Sequence, residues 1–281
     1  MNEVQSFLFE DHGIRGALVR LTETWQQIIA LHRYPTEVRA LLADSVAATV
    51  LLANGLKYQP KVSIQLQGEG ALRLLLIQCS SDLKVRGMAQ WRPYDRGESL
   101  LGAGRLAVNL DTGVRNGLFQ GIVPLVSSQL DACLEAYFER SEQLATRIVL
   151  AGTGERAAGM LVQTLPGHEE ETQSFAQIAE LAKTVSRHAL AQSDAEDLLP
   201  QVFTNYRIRL FRPRPVLHDC RCTAEHLAGI ARMLGAQELE ALLDEQGSVE
   251  LTCEFCNRAF RYDEDDVEAI LRGESPGPAL H

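Results

Sequence analysis

His218-Asp-Cys-Arg-Cys222 and Thr252-Cys-Glu-Phe-Cys256 decide the reading of this chain. Four thiols arrive as a C-x-C pair and a C-x-x-C pair about thirty residues apart, and isolated buried cysteines rarely fall so. Two such knuckles supply the four soft donors of a tetrahedral zinc site, so Cys220, Cys222, Cys253 and Cys256 are the candidate ligands of one Zn2+ per chain. His218 and His226 flank the first pair and are the alternative ligands, although four thiolates already satisfy the coordination number.

The segment around the knuckles agrees with this. Thr223 is expected to cap a helix through Leu227, Ile230 and Leu234 that ends at Gly235, and Gln237 to Asp244 forms a second. Val249 to Leu251 leads as a strand into the second knuckle and Phe260 to Tyr262 leads out, before a final helix capped by Asp265 or Asp266. Apolar residues are few for a module of this size, so the metal has to supply much of its folding free energy. Residues 218–272 hold thirteen Asp or Glu against five Arg, in a chain of net charge -10. That sign repels phosphate and argues against nucleic acid as a partner. A tail over 273–281 is expected to be disordered.

Working back towards the N-terminus, Glu169-Glu-Glu171 gives negative charge at a helix start. Phe175, Ile178, Ala182, Val185 and Ala189 then form a narrow, alanine-rich stripe that buries little area and so docks weakly. Pro200 is expected to interrupt a second, shorter helical candidate, and Arg212-Pro-Arg-Pro215 to be extended. Residues 168–217 therefore read as a helical linker, either inert or poised near its own unfolding threshold.

Residues 1–167 alternate differently. Val4–Leu8 and Ala17–Leu21 suggest two strands about a Gly13/Gly16 turn, and Thr22 or Thr24 caps a helix through Trp25, Ile28, Ile29 and Leu31. Pro35 starts a long helix with Val38, Leu42, Val46, Val50 and Ala53 on one face, ending at the Tyr58-Gln59-Pro60 break. From Lys61 the period changes to two, and strands are expected at 62–67, 72–79, 85–91, 105–110 and 118–123. A helix over 129–143 and a hairpin of Thr146–Ala151 with Ala157–Leu165 close the domain. The fold class is α+β: a mixed or antiparallel sheet core, a helical linker and a small C-terminal four-cysteine zinc module.

Among the 281 residues, 46% are hydrophobic and 23% charged, which fits a globular chain. Its longest aliphatic runs, such as Leu74–Ile77, are too short to span a bilayer, and acids at Glu3, Glu10 and Asp11 stand where a signal peptide is basic. A cytoplasmic protein without a membrane partner is expected. No catalytic constellation is present, so no enzyme is expected. Gly152-Thr-Gly-Glu-Arg-Ala157 matches a dinucleotide-binding pattern but precedes a strand, not a helix, and reads as a hairpin turn. Cys79 and Cys133 lie in apolar segments and read as inert core thiols.

Spacing alone leaves the metal's role open. It can be a permanent staple in a zinc-ribbon protein that binds nucleic acid or the translation apparatus, or the thiols can be redox-active. A disulfide across C-x-C closes a very small, strained ring of the labile kind, and C-x-x-C is a spacing of redox motifs. A thiol oxidoreductase is the third reading, and it needs an exposed cysteine of low pKa that an acidic setting disfavours.

The C-x-C knuckle, Thr252-CEFCNRAFR-Tyr262, the intervening Leu234-GAQELEALLDEQ-Gly247 and the Arg212-PRP-Val216 entry closely resemble the heat shock protein 33 family of redox-regulated holdase chaperones. Arg15-GALVR-Leu21, Leu51-LANGLK-Tyr58, Ser63-IQLQGEGALRLL-Leu76, Gly121-IVP-Leu125 and Glu135-AYFERSEQLAT-Arg147 resemble it in the same order. The resemblance implies a client-binding α+β core, a linker packed on it, and a zinc module that is inactive when reduced and metal-bound. It implies that oxidant plus unfolding stress forms the disulfides Cys220–Cys222 and Cys253–Cys256, releases zinc and unfolds the linker. Unfolding client proteins are then held without ATP, with homodimerisation in the oxidised form and later refolding by the 70 kDa heat-shock system. No client-binding residue carries over from it.

Overall fold

The computed structural model describes residues 1–30, 32–56, 61–95, 97–112, 117–168 and 171–275. The expected break at Tyr58-Gln59-Pro60, Leu31, Glu169, Glu170 and the tail over 276–281 lie outside them. By compactness the chain divides into two units, Met1–Asp219 and Cys220 onward.

In the first unit, β1 (Asn2–Phe9) and β2 (Ile14–Leu21) form a hairpin whose turn lies over residues 10–13. Gly16 belongs to β2 and not to the turn: a Cβ there would stand 2.1 Å from the Phe7 ring, so glycine makes room for a core aromatic. Helix α1 (Glu23–Ile29) starts at Thr22, whose side chain makes no cap. Asn2 Oδ1 takes that role from across the hairpin, accepting from the Thr22 and Thr24 amides at 3.1 and 3.0 Å. Helix α2 (Thr36–Asn54) begins after Pro35 and is buried almost all round, not on one face. Its polar Ser45 and Thr49 are tolerated there because each hydroxyl donates to the carbonyl four residues back, at 2.7 Å.

The change of period at Lys61 is real. β3 (Lys61–Gly68), β4 (Leu72–Ser80), β5 (Lys84–Trp91), β6 (Gly104–Asp111) and β7 (Leu118–Pro124) form one antiparallel sheet. Next come α3 (Leu130–Tyr137), a π-turn over Phe138–Glu142, β8 (Thr146–Leu150) and β9 (Ala157–Thr164). The Gly152 pattern is the β8–β9 hairpin turn, closed by Thr153 N–H donating to the Arg156 carbonyl at 2.8 Å. Cys79 and Cys133 are each 1% exposed, and burial pushes the Cys79 thiol up to about 12. Helix α2 and the inner faces of both sheets share a single apolar core.

Three helices follow: α4 (Thr172–Lys183), α5 (Arg187–Gln192) and α6 (Ala195–Val202). Pro200 does not interrupt α6, which runs through it, and Phe203 N–H still donates to the Leu199 carbonyl at 2.9 Å. Only the bond that Pro200 would have donated to Glu196 is lost. Nor do these helices dock weakly. The alanine-rich stripe is one part of a face that also carries Ile178, Leu190, Leu198, Leu199 and Phe203, all buried against Phe7, Phe9, Ile14 and Met160. Phe203 sits edge-on to Phe9 at 5.1 Å between ring centroids. Arginines add polar ties. Arg20 donates to the Ser193 carbonyl and to Asp194 at 2.7 Å, Arg156 to the Ala191 carbonyl at 3.1 Å, and Arg187 to the Gly152 carbonyl at 3.0 Å.

The chain then adds strands to both sheets. β10 (Ile208–Leu210) and β11 (Arg214–Pro215) pair with β1, and β12 (Leu217–His218) pairs in parallel with β5. The sheet orders are β10-β1-β2-β9-β8, with β11 also on β1, and β12-β5-β4-β3-β6-β7.

The second unit holds α7 (Ala224–Leu234), α8 (Ala236–Gln246), the hairpin β13 (Val249–Thr252) with β14 (Ala259–Tyr262), and α9 (Glu264–Arg272). Thr223 caps α7 as expected, accepting from His226 N–H at 3.1 Å. The cap of α9 is Asp263, with Asp266 closing a reciprocal capping box rather than standing at the helix start itself. Gly273 and Glu274 belong to the C-terminal turn of α9, where their amides donate to Ile270 and Ala269, so the tail does not begin at 273. Among the described residues no helix is long and apolar enough to cross a membrane.

Candidate metal centre

The first knuckle occupies the nonhelical residues that join β12 to the Thr223 cap of α7. The second is the turn between β13 and β14. Cys253 N–H donates to the Arg258 carbonyl at 2.9 Å and Asn257 N–H to the Cys253 carbonyl at 2.7 Å. Asn257 takes the left-handed conformation there, φ 55°, which asparagine tolerates better than most side chains. The hairpin register, Val249 to Tyr262 and Thr252 to Ala259, sets Cys253 and Cys256 at the open end of the two strands.

The four Sγ atoms of Cys220, Cys222, Cys253 and Cys256 all lie within 4.8 Å of one another. Two close approaches run between the knuckles: Cys222 to Cys256 at 3.2 Å and Cys220 to Cys253 at 3.7 Å. A tetrahedral site with metal–sulfur bonds of about 2.3 Å separates its sulfurs by about 3.8 Å, so the donor set fits a single small cation. Among the described residues no histidine joins the cluster. His218 is half-buried on β12 beside β5, and burial lowers its pKa against the opposing charge of Asp219. His226 lies within the first turn of α7.

The sulfurs are also part of the unit's core. Cys222 and Cys253 are 6% and 9% exposed and cluster with Leu227, Leu239, Phe260 and Tyr262. Burial pushes the Cys222 thiol far above its usual range and raises Cys220 as well. Burial acts the same way on Cys256, but hydrogen bonds from Cys222, the Arg258 amide, Cys220 and Cys253 outweigh it and the net shift is downward. A divalent cation favours the thiolate form of all four sulfurs over the burial that opposes it.

Several residues that fasten α4 to α6 have no motif: Arg20, Arg156, Arg187 and Asp44. Asp44 is partly buried, accepts from the Gly152 amide at 2.6 Å and lies 3.7 Å from Arg187. The one signal in the sequence is a lone charge inside an apolar strand, as with Arg20 between Val19 and Leu21.

Comparison with known proteins places this geometry. The family described as Hsp33 protein matches residues 2–263. The 33 kDa chaperonin of Shewanella sediminis is 37% identical over 274 residues, covering 96% of both chains. That of Chromobacterium violaceum is 38% identical over 275 residues, covering 96% of this chain and 94% of its own. The crystal structure of the 33 kDa chaperonin from Thermotoga maritima superposes with a TM-score of 0.83, covering 97% of this chain and 99% of that one; at 22% identity it speaks for the fold. A match over nearly the whole length, to the sheets, the helices that follow them and the paired cysteines together, makes this chain a member of the Hsp33 family.

Proposed function

We propose that this protein is a redox-regulated, ATP-independent holdase chaperone, held inactive while Cys220, Cys222, Cys253 and Cys256 are reduced and share one zinc ion. The observation that carries the reading is the convergence of four thiols at the apolar core of the second unit, Cys222 and Cys253 within it and Cys220 and Cys256 packed against it. Bound zinc supplies structural binding free energy, roughly 10–16 kcal/mol in small modules, against a net domain stability of about 5–15.

Oxidation attacks that arrangement at its donors. Formation of Cys220–Cys222 and of Cys253–Cys256 from the zinc-bound thiolates each gives two electrons to an oxidant such as peroxide, which takes up two protons from solvent and leaves as two waters. Each disulfide removes two of the metal's four donors. The second unit then unfolds, and α4 to α6 leave the sheet they cover. In this scheme residues 1–167 are the client-binding core, 168–217 the stress-sensing linker and 218–272 the redox switch. The freed protein, as a homodimer, holds unfolding clients in the cytoplasm until the 70 kDa heat-shock system refolds them.

Light scattering of a thermally denaturing client, with zinc release followed by a chromogenic chelator, tests this. Reduced protein should carry one zinc and give no protection; peroxide at elevated temperature should release the metal, form two disulfides and bring protection. Equal protection in both states refutes it.

A further inference from the structure

A largely apolar cavity of about 690 Å³ opens in the first unit, walled by strands of both sheets, the end of α2 and α3. That volume falls inside the roughly 300–1,000 Å³ of small-molecule sites. Leu52, Val62, Leu110, Phe119, Leu161 and Phe211 supply apolar wall. Among the described residues one cation lines it, the half-buried Arg15 of β2, and no carboxylate stands within ion-pair distance of that guanidinium.

Neutral acceptors hold Arg15 in place. Its Nη1 donates to the Gly55 carbonyl at 3.1 Å and its Nη2 to Gln163 Oε1 at 2.7 Å. Gln163 is 2% exposed and stands opposite Arg15 across β2 and β9. Its Nε2 donates to Thr146 Oγ1 at 2.8 Å, which turns its oxygen towards the guanidinium. Two of the five guanidinium N–H donors are thus spent and three remain. Burial pulls the pKa of Arg15 below the usual guanidinium range, as expected of a charge taken out of water without an anion beside it. The other charge on the wall, Glu142, is exposed, and its carboxylate accepts from Tyr137 Oη at 2.7 Å.

We infer that this cavity binds an anionic amphiphile of the fatty-acid class: the carboxylate takes the free donors of Arg15, and the acyl chain lies along the apolar wall. The site is formed while α4 to α6 are docked, so it stands whether or not the protein holds clients. A guanidinium matches a carboxylate in charge and in the spacing of its donors. Polypeptide is the poorer occupant, because it brings an amide donor and acceptor at every residue. The side-chain amides on the wall are already engaged: Asn54 donates to Ser6 Oγ at 2.8 Å, and Asn109 donates to Ser63 Oγ at 3.1 Å and accepts from Gln120 at 2.6 Å. An acyl chain asks nothing of them.

The test titrates dodecanoate and dodecyltrimethylammonium, alike in tail and opposite in head charge, into the reduced, zinc-loaded full-length protein by calorimetry below their micelle-forming concentrations. The chain's net charge of -10 makes unspecific adsorption favour the cation, so preference for the anion reports the local site. Wild type should take up one dodecanoate per chain, at least about tenfold more tightly than the cationic amphiphile. Arg15→Gln removes the charge and should weaken dodecanoate by at least about tenfold, while Arg15→Lys keeps part of the affinity. Circular dichroism first establishes that each variant is folded; where Arg15→Gln does not fold, the comparison of the two head groups in the wild type decides. No uptake of dodecanoate, equal affinity for the two heads, several anions per chain, unchanged affinity in folded Arg15→Gln, or equal competition by an uncharged apolar peptide would each overturn the site. A dimer in sedimentation that excludes dodecanoate gives the cavity to a second copy and overturns it as well.

Discussion

Phe203→Ala tests whether the apolar face of α4 to α6 is what keeps the protein closed. Phe203 is 0% exposed and packs its ring against Phe9 and Phe7, at 5.1 and 6.4 Å between centroids. Truncating a fully buried phenylalanine costs roughly 3–5 kcal/mol, counting the lost transfer free energy and the cavity left behind. At about 1.4 kcal/mol per decade, that raises the undocked fraction of the helices by roughly a hundred-fold to a few thousand-fold. The reduced, zinc-loaded variant should therefore protect a client from aggregation without any oxidant. Amide exchange over 172–203 should accelerate while that of β3 to β6 stays slow. Trp25, fully buried in the other cluster, reports by its fluorescence whether the sheets remain folded. If exchange in the helices rises as calculated and no protection appears, the covered face is not what the switch exposes, and the reasoning fails. If exchange does not rise, the packing assigned to Phe203 is wrong.

Cys222→Ser removes a core thiol and a metal donor together, so zinc content of the reduced protein should fall sharply and exchange over 224–272 should become fast, with exchange over α4 to α6 rising as well and that of β3 to β6 still slow; full zinc occupancy would remove Cys222 from the ligand set. Asp44 gives a pH prediction. Burial pushes its carboxyl from an ordinary 3.8 up to about 6, against the pull of the Gly152 amide and Arg187. Between those values the native state keeps a proton that the unfolded chain has lost, so the stability of the first unit should fall as pH rises from about 4 to 6. Asp44→Asn keeps an acceptor for Gly152 and should be more stable than the wild type at pH 7.5 by up to about 3 kcal/mol, converging with it near pH 4. Urea unfolding followed by tryptophan fluorescence measures this, and a wild type equal to the variant at pH 7.5 contradicts it.

The strands and the metal cluster were legible because each rests on a local rule. Two-residue alternation from Lys61 marks β3 to β7, and paired thiols mark the knuckles wherever the chain folds. What escaped is nonlocal. The stripe of α4 reads as weak on its own; its strength comes from Leu198, Leu199 and Phe203 on a different helix and from Phe7 and Phe9 almost two hundred residues earlier. Pro200 misleads for a related reason, since a short helix fixed by tertiary packing tolerates one missing hydrogen bond. Asn2 as the cap of α1, and Asp263 rather than its neighbours as the cap of α9, depend on which oxygen reaches the helix end. The edge position of β7 is set by strand order, which no single strand's sequence contains.

The segment that carries α4 to α6 leaves the first sheet at β9 and re-enters it at β10, three strands away in the order β10-β1-β2-β9, a span of about 14 Å. Once free of the surface it is therefore a closed loop moored at two points and never a dangling arm. Closing so long a loop is cheap, and its own docking face stays within reach at an effective concentration in the millimolar range. Any client occupying that face has to outcompete an intramolecular rival, so restoring the second unit gives the molecule a built-in means of eviction.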